Sequence, residues 1–196
     1  DPQHLAAARE VGRQIGQRGW RLVYGGGTKG IMGAVASGVL SAGGHVTGII
    51  PEFLVDMEAT RHSLGQLNEL IITKDMHERK HAMFERSDAF VTLPGGIGTL
   101  EEIVEIMTWG QLGRHTKPMV FANVNDFWKP MLELVDHMSA SGFIQQALFP
   151  TLNFGQVALQ GTFAPAVPEP STIALNAVGL LAVAAVMRKR RRVAMA

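Results

Sequence analysis

The chain has 196 residues, enough for one domain with a substantial core, and no cysteine, which excludes disulfides and thiolate chemistry. Formal charge is +1, from 18 basic and 17 acidic side chains. Five of the bases are Arg188, Lys189, Arg190, Arg191 and Arg192; the rest of the chain holds 13 bases against 17 acids, or −4, and gives no electrostatic case for nucleic acid.

The chain opens on a helical pattern, with Leu5, Ala8, Gly12 and Ile15 on one face and Val11 beside it. The run RLVYGGG then reads as a short buried strand ending in glycines. In GIMGAVASGVLSAGG, Met32, Val35, Ala36 and Val39 share a helical face, and the closing glycine pair is a stop signal. HVTGIIP and NELIITKD read as the second and third strands, and MHERKHAMFERSD is helical by composition. AFVTLP is a fourth strand, followed after its glycines by a helix with Leu100, Ile103, Val104 and Met107 at i, i+3, i+4 and i+7. KPMVFAN is a fifth strand, and Trp128, Leu132, Val135 and Met138 make a last amphipathic helix.

Strands alternating with helices predict an α/β fold, a doubly wound parallel sheet with helices on both faces. A sheet of this kind normally starts with a strand, so the helical opening at Asp1 predicts that the first strand and its loop are missing. Ligands of such sheets bind beyond the carboxyl ends of the strands. Gly25–Gly27 and Gly95–Gly98 both fall at strand-to-helix junctions of that kind. Glycine lets backbone approach an anion, and a helix N-terminus presents amides without intrahelical acceptors. Gly95, Gly96 and Gly98 therefore suit a phosphate cradle, and Gly25, Gly26 and Gly27 a second backbone approach; tight turns and close helix packing are the structural alternative. Neither loop is a P-loop or a G-x-G-x-x-G.

Individual side chains carry competing readings. Thr99 followed by Glu102 matches a capping box, which on spacing alone takes precedence over a catalytic carboxylate. Glu101 reads as solvated. Arg79, Lys80 and Arg86 read either as an exposed basic helix face or as partners for phosphate and carboxylate. His77 and His81 stand at i, i+4, but no third ligand accompanies them, so a metal site is not expected.

Together, YGGGTKGIMGAVA at Tyr24–Ala36, MHERK at Met76–Lys80 and PGGIGTLEE at Pro94–Glu102 followed by TWGQLG resemble the LOG (Lonely Guy) family of cytokinin riboside 5'-monophosphate phosphoribohydrolases, long labelled lysine decarboxylases. The resemblance covers residues 1–144. It implies a Rossmann-like fold, a homodimer, and hydrolysis of the N-glycosidic bond of nucleoside 5'-monophosphates such as AMP, without nicotinamide, pyridoxal phosphate or metal. By motif position it makes Arg79 and Glu102 the catalytic pair and Gly95, Gly96, Gly98 and Thr99 the phosphate loop. It places Glu58, Lys80 and Thr108 at the nucleotide. The rival reading is a nucleotide- or cofactor-binding carrier of the same fold without hydrolysis.

Beyond Ile144 the texture changes. Residues 145–166 read as an irregular linker. Residues 167–192, VPEPSTIALNAVGLLAVAAVMRKRRR, resemble the PEP-CTERM sorting signal of bacterial surface proteins, and 193–196 follow as terminal residues. The 15 uncharged residues Ile173–Met187 are expected to form a short apolar helix, read as membrane contact over 173–192 because of the basic flank, with a buried core helix as the alternative. The catalytic body is expected in the cytoplasm. A sorting tail on such a body predicts a third function, an inactive fragment fused to a surface-sorting tail, and a fusion of unrelated sequences would account for the pairing.

Overall fold

The computed structural model describes residues 1–144 together with the short strands Leu152–Asn153 and Ala184–Met187. Helix α1, Pro2–Gln17, is started by Asp1, whose carboxylate accepts from the Gln3 amide at 2.8 Å, and by Pro2 in its first turn. Strand β1, Arg21–Tyr24, is followed by α2, Gly30–Ser41, and β2, His45–Pro51. Two short helices the periodicity did not reveal, α3 (Val55–Glu58) and α4 (Arg61–Leu64), precede β3, Glu69–Thr73. Next come α5 (Met76–Glu85), β4 (Phe90–Thr92), α6 (Ile97–Gln111), β5 (Met119–Phe121) and α7 (Lys129–Ala140). The last strands are β6 (Leu152–Asn153) and β7 (Ala184–Met187).

The sheet runs β3-β2-β1-β7-β4-β5-β6. Alternation along the strands sends side chains to two cores. Leu22 and Tyr24 of β1, Val91 of β4 and Val120 of β5 pack with α1 and α2, whereas Val23, Phe90, Met119 and Phe121 pack with Met83 of α5, Ile103 and Ile106 of α6 and Val135 of α7. Helices therefore cover both faces, as the alternating pattern predicts. Helices α1 and α2 are in close backbone contact: a Cβ on Gly12 would stand 2.0 Å from the Val35 carbonyl oxygen. Leu5 departs from the expected α1 face and is 40% exposed; Ala7 and Gly16 are buried instead.

Two expectations are corrected. The sheet is not wholly parallel, because β7 lies antiparallel between β1 and β4, with Ala185 opposite both Val23 and Phe90. The short apolar helix expected over Ile173–Met187 fails at its C-terminal end, since Ala184–Met187 are extended and paired on both edges. Uncharged residues such as these, three of them Ala or Val, fit between two buried parallel strands as readily as in a helix, which is why periodicity did not separate the two. The rest of the expected helix, the basic cluster and most of the linker lie outside the described residues. Among the described residues no helix is long and apolar enough to cross a membrane.

Candidate active site

Helix α5 places the central arginine. Asp75 accepts from the Glu78 amide at 2.9 Å, and Glu78 accepts from the Lys74 amide at 2.8 Å, a reciprocal cap that fixes the helix start. One turn in, Arg79 is 4% exposed. Its Nη2 donates to the Gly25 carbonyl at 3.2 Å and its Nη1 approaches the Met76 sulfur at 3.6 Å. Bare backbone at Gly25 is required for this, since a Cβ there would lie 1.9 Å from Nη2.

Helix α6 places the carboxylate. It begins after Gly96, so Thr99 is inside the first turn and is not the N-cap. The expected Thr99–Glu102 capping box is therefore corrected: the glycines carry the helix start three residues earlier, and Glu102 is released for another role. Glu102 is 5% exposed and its Oε1 lies 4.0 Å from Arg79 Nη1, close enough for charge attraction but not a hydrogen bond. Burial pushes its carboxyl up to about 7; Arg79 opposes that shift without cancelling it. Arg79 Nε, Glu102 Oε2 and Glu58 Oε2 are all buried without a hydrogen-bond partner.

These groups meet in one cleft of about 340 Å³. Of the residues singled out from sequence, Glu58, Arg79, Gly95, Gly96, Gly98, Thr99 and Glu102 line it. The first intrahelical bond of α6 runs from the Leu100 amide to the Gly96 carbonyl at 3.1 Å, so the amides ahead of it lie at the positive end of the helix, beside the cleft. Nothing lies within 4 Å of a Cβ built on Gly96 or Gly98, so the rim there is open to a ligand. A Cβ on Gly95 would instead stand 2.2 Å from Thr99 Oγ1.

Other expected residues are elsewhere. Lys80 is paired with Glu101 at 2.7 Å and Glu105 at 3.0 Å and is not in the lining of the cleft. Thr108 donates to the Val104 carbonyl at 2.8 Å on an exposed part of α6, also outside the lining. Gly25, Gly26 and Gly27 are buried behind Arg79 and Met32 and do not line it. Glu101, read as solvated, both pairs with Lys80 and lines the cleft. Lys29, Met32, Leu54 and Met76 line it too and were missed. Lys29 had a usable signal, a cation just beyond Thr28 after a strand-end glycine run; the apolar three had none. Among the described residues no group of three or more potential ligands could hold a metal ion.

Residues 32–157 match the family profile described as possible lysine decarboxylase. The chain belongs to this family, the one that holds the LOG proteins. A probable cytokinin riboside 5'-monophosphate phosphoribohydrolase of Oryza sativa subsp. japonica is 49% identical over 138 residues, 70% of this chain and 60% of the rice protein. A cytokinin riboside 5'-monophosphate phosphoribohydrolase of Rhodococcoides fascians is 46% identical over 141 residues, 71% of this chain and 70% of that protein. An Arabidopsis thaliana protein of the same description is 46% identical over 139 residues, again with 60% of its length spanned. The chain thus spans about three-fifths of the plant relatives it matches. Among solved structures, the molybdenum cofactor carrier protein of Chlamydomonas reinhardtii superposes with a TM-score of 0.57 at 22% identity, covering 79% of this chain and 81% of that one. The molybdenum cofactor binding protein of Rippkaea orientalis gives 0.57 at 20%, covering 80% and 82%. At these identities the likeness concerns the fold. Residues 166–192 match the PEP-CTERM protein-sorting motif.

Proposed function

We propose that this LOG-family chain hydrolyses the N-glycosidic bond of nucleoside 5'-monophosphates, releasing the free base and ribose 5-phosphate. One observation carries the reading: the buried Arg79–Glu102 pair shares a cleft with the glycine-lined N-terminus of α6, and each partner has a buried polar atom with no hydrogen-bond partner. The helix N-terminus and its open glycine rim hold the phosphate. Bond cleavage leaves positive charge on the ribose as the base departs, and a nearby carboxylate stabilises that charge. Glu102 in its ionised form then takes a proton from the attacking water, whose oxygen adds to the anomeric carbon, and that proton passes on to the departing base, which restores the carboxylate. Arg79, fixed by Gly25, holds Glu102 in place and adds positive charge for the phosphorylated sugar. Glu58 offers a second carboxylate to the ribose hydroxyls, and Lys80 pairs with Glu101 at the cleft and with Glu105. The relatives named as phosphoribohydrolases support this chemistry.

Incubation of the full chain with AMP, followed by chromatography for adenine, tests the reading. Adenine release supports it; AMP binding without adenine favours the carrier alternative. A second copy of the chain is part of the same proposal. Ile97, Val104 and Leu112 leave apolar surface exposed on α6, and light scattering that finds a dimer supports their burial there. The matched sorting motif over 166–192 supports a sorting role for the tail, which fractionation of tagged protein tests.

A further inference from the structure

A second cavity, also about 340 Å³, lies beside the first and differs from it in chemistry. Its polar lining comes from Thr28, Ser37 and Ser41 and, beyond α4, from Ser63 and Gln66. Ala36, Leu40 and Leu67 supply apolar walls. Among the described residues no charged side chain lines it, whereas Lys29, Glu58, Arg79, Glu101 and Glu102 line the first. An anion entering here would lose hydration with no cation to replace it, so phosphates and carboxylates are disfavoured. Tyr24 also borders this cavity; it is fully buried, and its hydroxyl has no hydrogen-bond partner. Burial pushes the phenol pKa up, so it remains a neutral donor. A buried hydroxyl without a partner is costly unless something accepts from it.

We infer that this cavity binds an uncharged nitrogen heterocycle of purine size. The flat faces of such a ligand suit the aliphatic walls, and its edge alternates donors and acceptors. Hydroxyls and a carboxamide can meet either role. A polyol would instead turn hydroxyls against Ala36, Leu40 and Leu67. The site is wired to the first cleft through Thr28. Its amide donates to the Glu58 carbonyl at 3.0 Å, and its Oγ1 accepts from the Thr60 amide at 3.3 Å. Thr60 in turn accepts from the Ser63 amide at 3.2 Å, at the start of α4. A ligand bridging α2 to Ser63 and Gln66 therefore restrains the segment that carries Glu58. Binding stands independently of the hydrolase reading; only its meaning as feedback by the released base rests on that reading.

Adenine, neutral at pH 7.5, is the probe, titrated calorimetrically into the full chain with ribose 5-phosphate present to occupy the first cleft. Adenine is expected to bind under these conditions, and Ser37→Trp, which plugs the cavity from an exposed helix position, is expected to weaken it by at least ~10-fold. Affinity for AMP should stay within about twofold in the same variant. If Ser37→Trp does not fold by circular dichroism, Gln66→Leu serves as the second variant with the same expectation. Absence of adenine binding overturns the inference, and so does binding that neither variant weakens. Failure of AMP hydrolysis with adenine binding intact would remove the hydrolase reading alone.

Discussion

The two glycine clusters occupy equivalent positions, each after a strand and before a helix, yet they do opposite things. At Gly25 the space a side chain would fill is taken by the protein's own guanidinium. At Gly96 and Gly98 that space is empty. The first cluster is therefore an internal socket around Arg79, and the second leaves open surface at Gly96 and Gly98. Glycine content alone does not distinguish these uses. What lies within reach of the absent Cβ does.

The largest effect expected from this contrast is at the socket. Gly25→Ala drives a methyl group into a buried Arg79, so it should lower stability by about 2–3 kcal/mol and cut kcat/KM for AMP by ~10³-fold or more, since misplacement of a catalytic group is costly. Thermal melting and the adenine-release assay check both. An active, stable Gly25→Ala would collapse the distinction between the clusters. At the open rim, Gly98→Val should leave the melting temperature within about 2 °C of wild type while raising KM for AMP by ~10–100-fold through lost phosphate contacts. The smallest effect is at Gly96→Ala, about 2–5-fold on KM with kcat unchanged, because one methyl group at the N-cap only crowds the anion. If these rim variants unfold the protein instead, the rim is structural and the contrast fails.

Much of this fold was legible because its signals are local. The alternation of strands with helices follows from burial on two faces, and Val135 and Trp128 of α7 and its approach, with Ile103 and Met107 of α6, are buried where the spacing predicts, whereas Val104 is 45% exposed. The residues that meet in the cleft were legible where a motif fixes backbone geometry, as at Gly95–Thr99 and Arg79. The Thr99–Glu102 box was misleading, because sequence spacing cannot tell an N-cap from a residue inside the first turn. Gly96 starts the helix earlier, and the reciprocal cap sits instead at Asp75 and Glu78. The resemblance places Lys80 at the nucleotide; adjacent helical residues point about 100° apart, and beside the buried Arg79 it meets Glu101 and Glu105. The antiparallel placement of Ala184–Met187 depends on pairing with β1, some 160 residues earlier, which no local pattern encodes.

Hydrolysis as proposed requires a buried carboxyl at Glu102 that loses its proton near neutrality beside the scissile bond. The pH dependence of kcat/KM for AMP, measured for wild type and Glu102→Gln, tests this directly. Because burial raises the carboxyl to about 7, wild-type activity should climb as pH rises through that value and then level off. The Gln variant should be lower by ~10²–10⁴-fold and should lack that limb. A Gln variant with wild-type rates, or one that keeps the same rise near pH 7, would contradict the assignment.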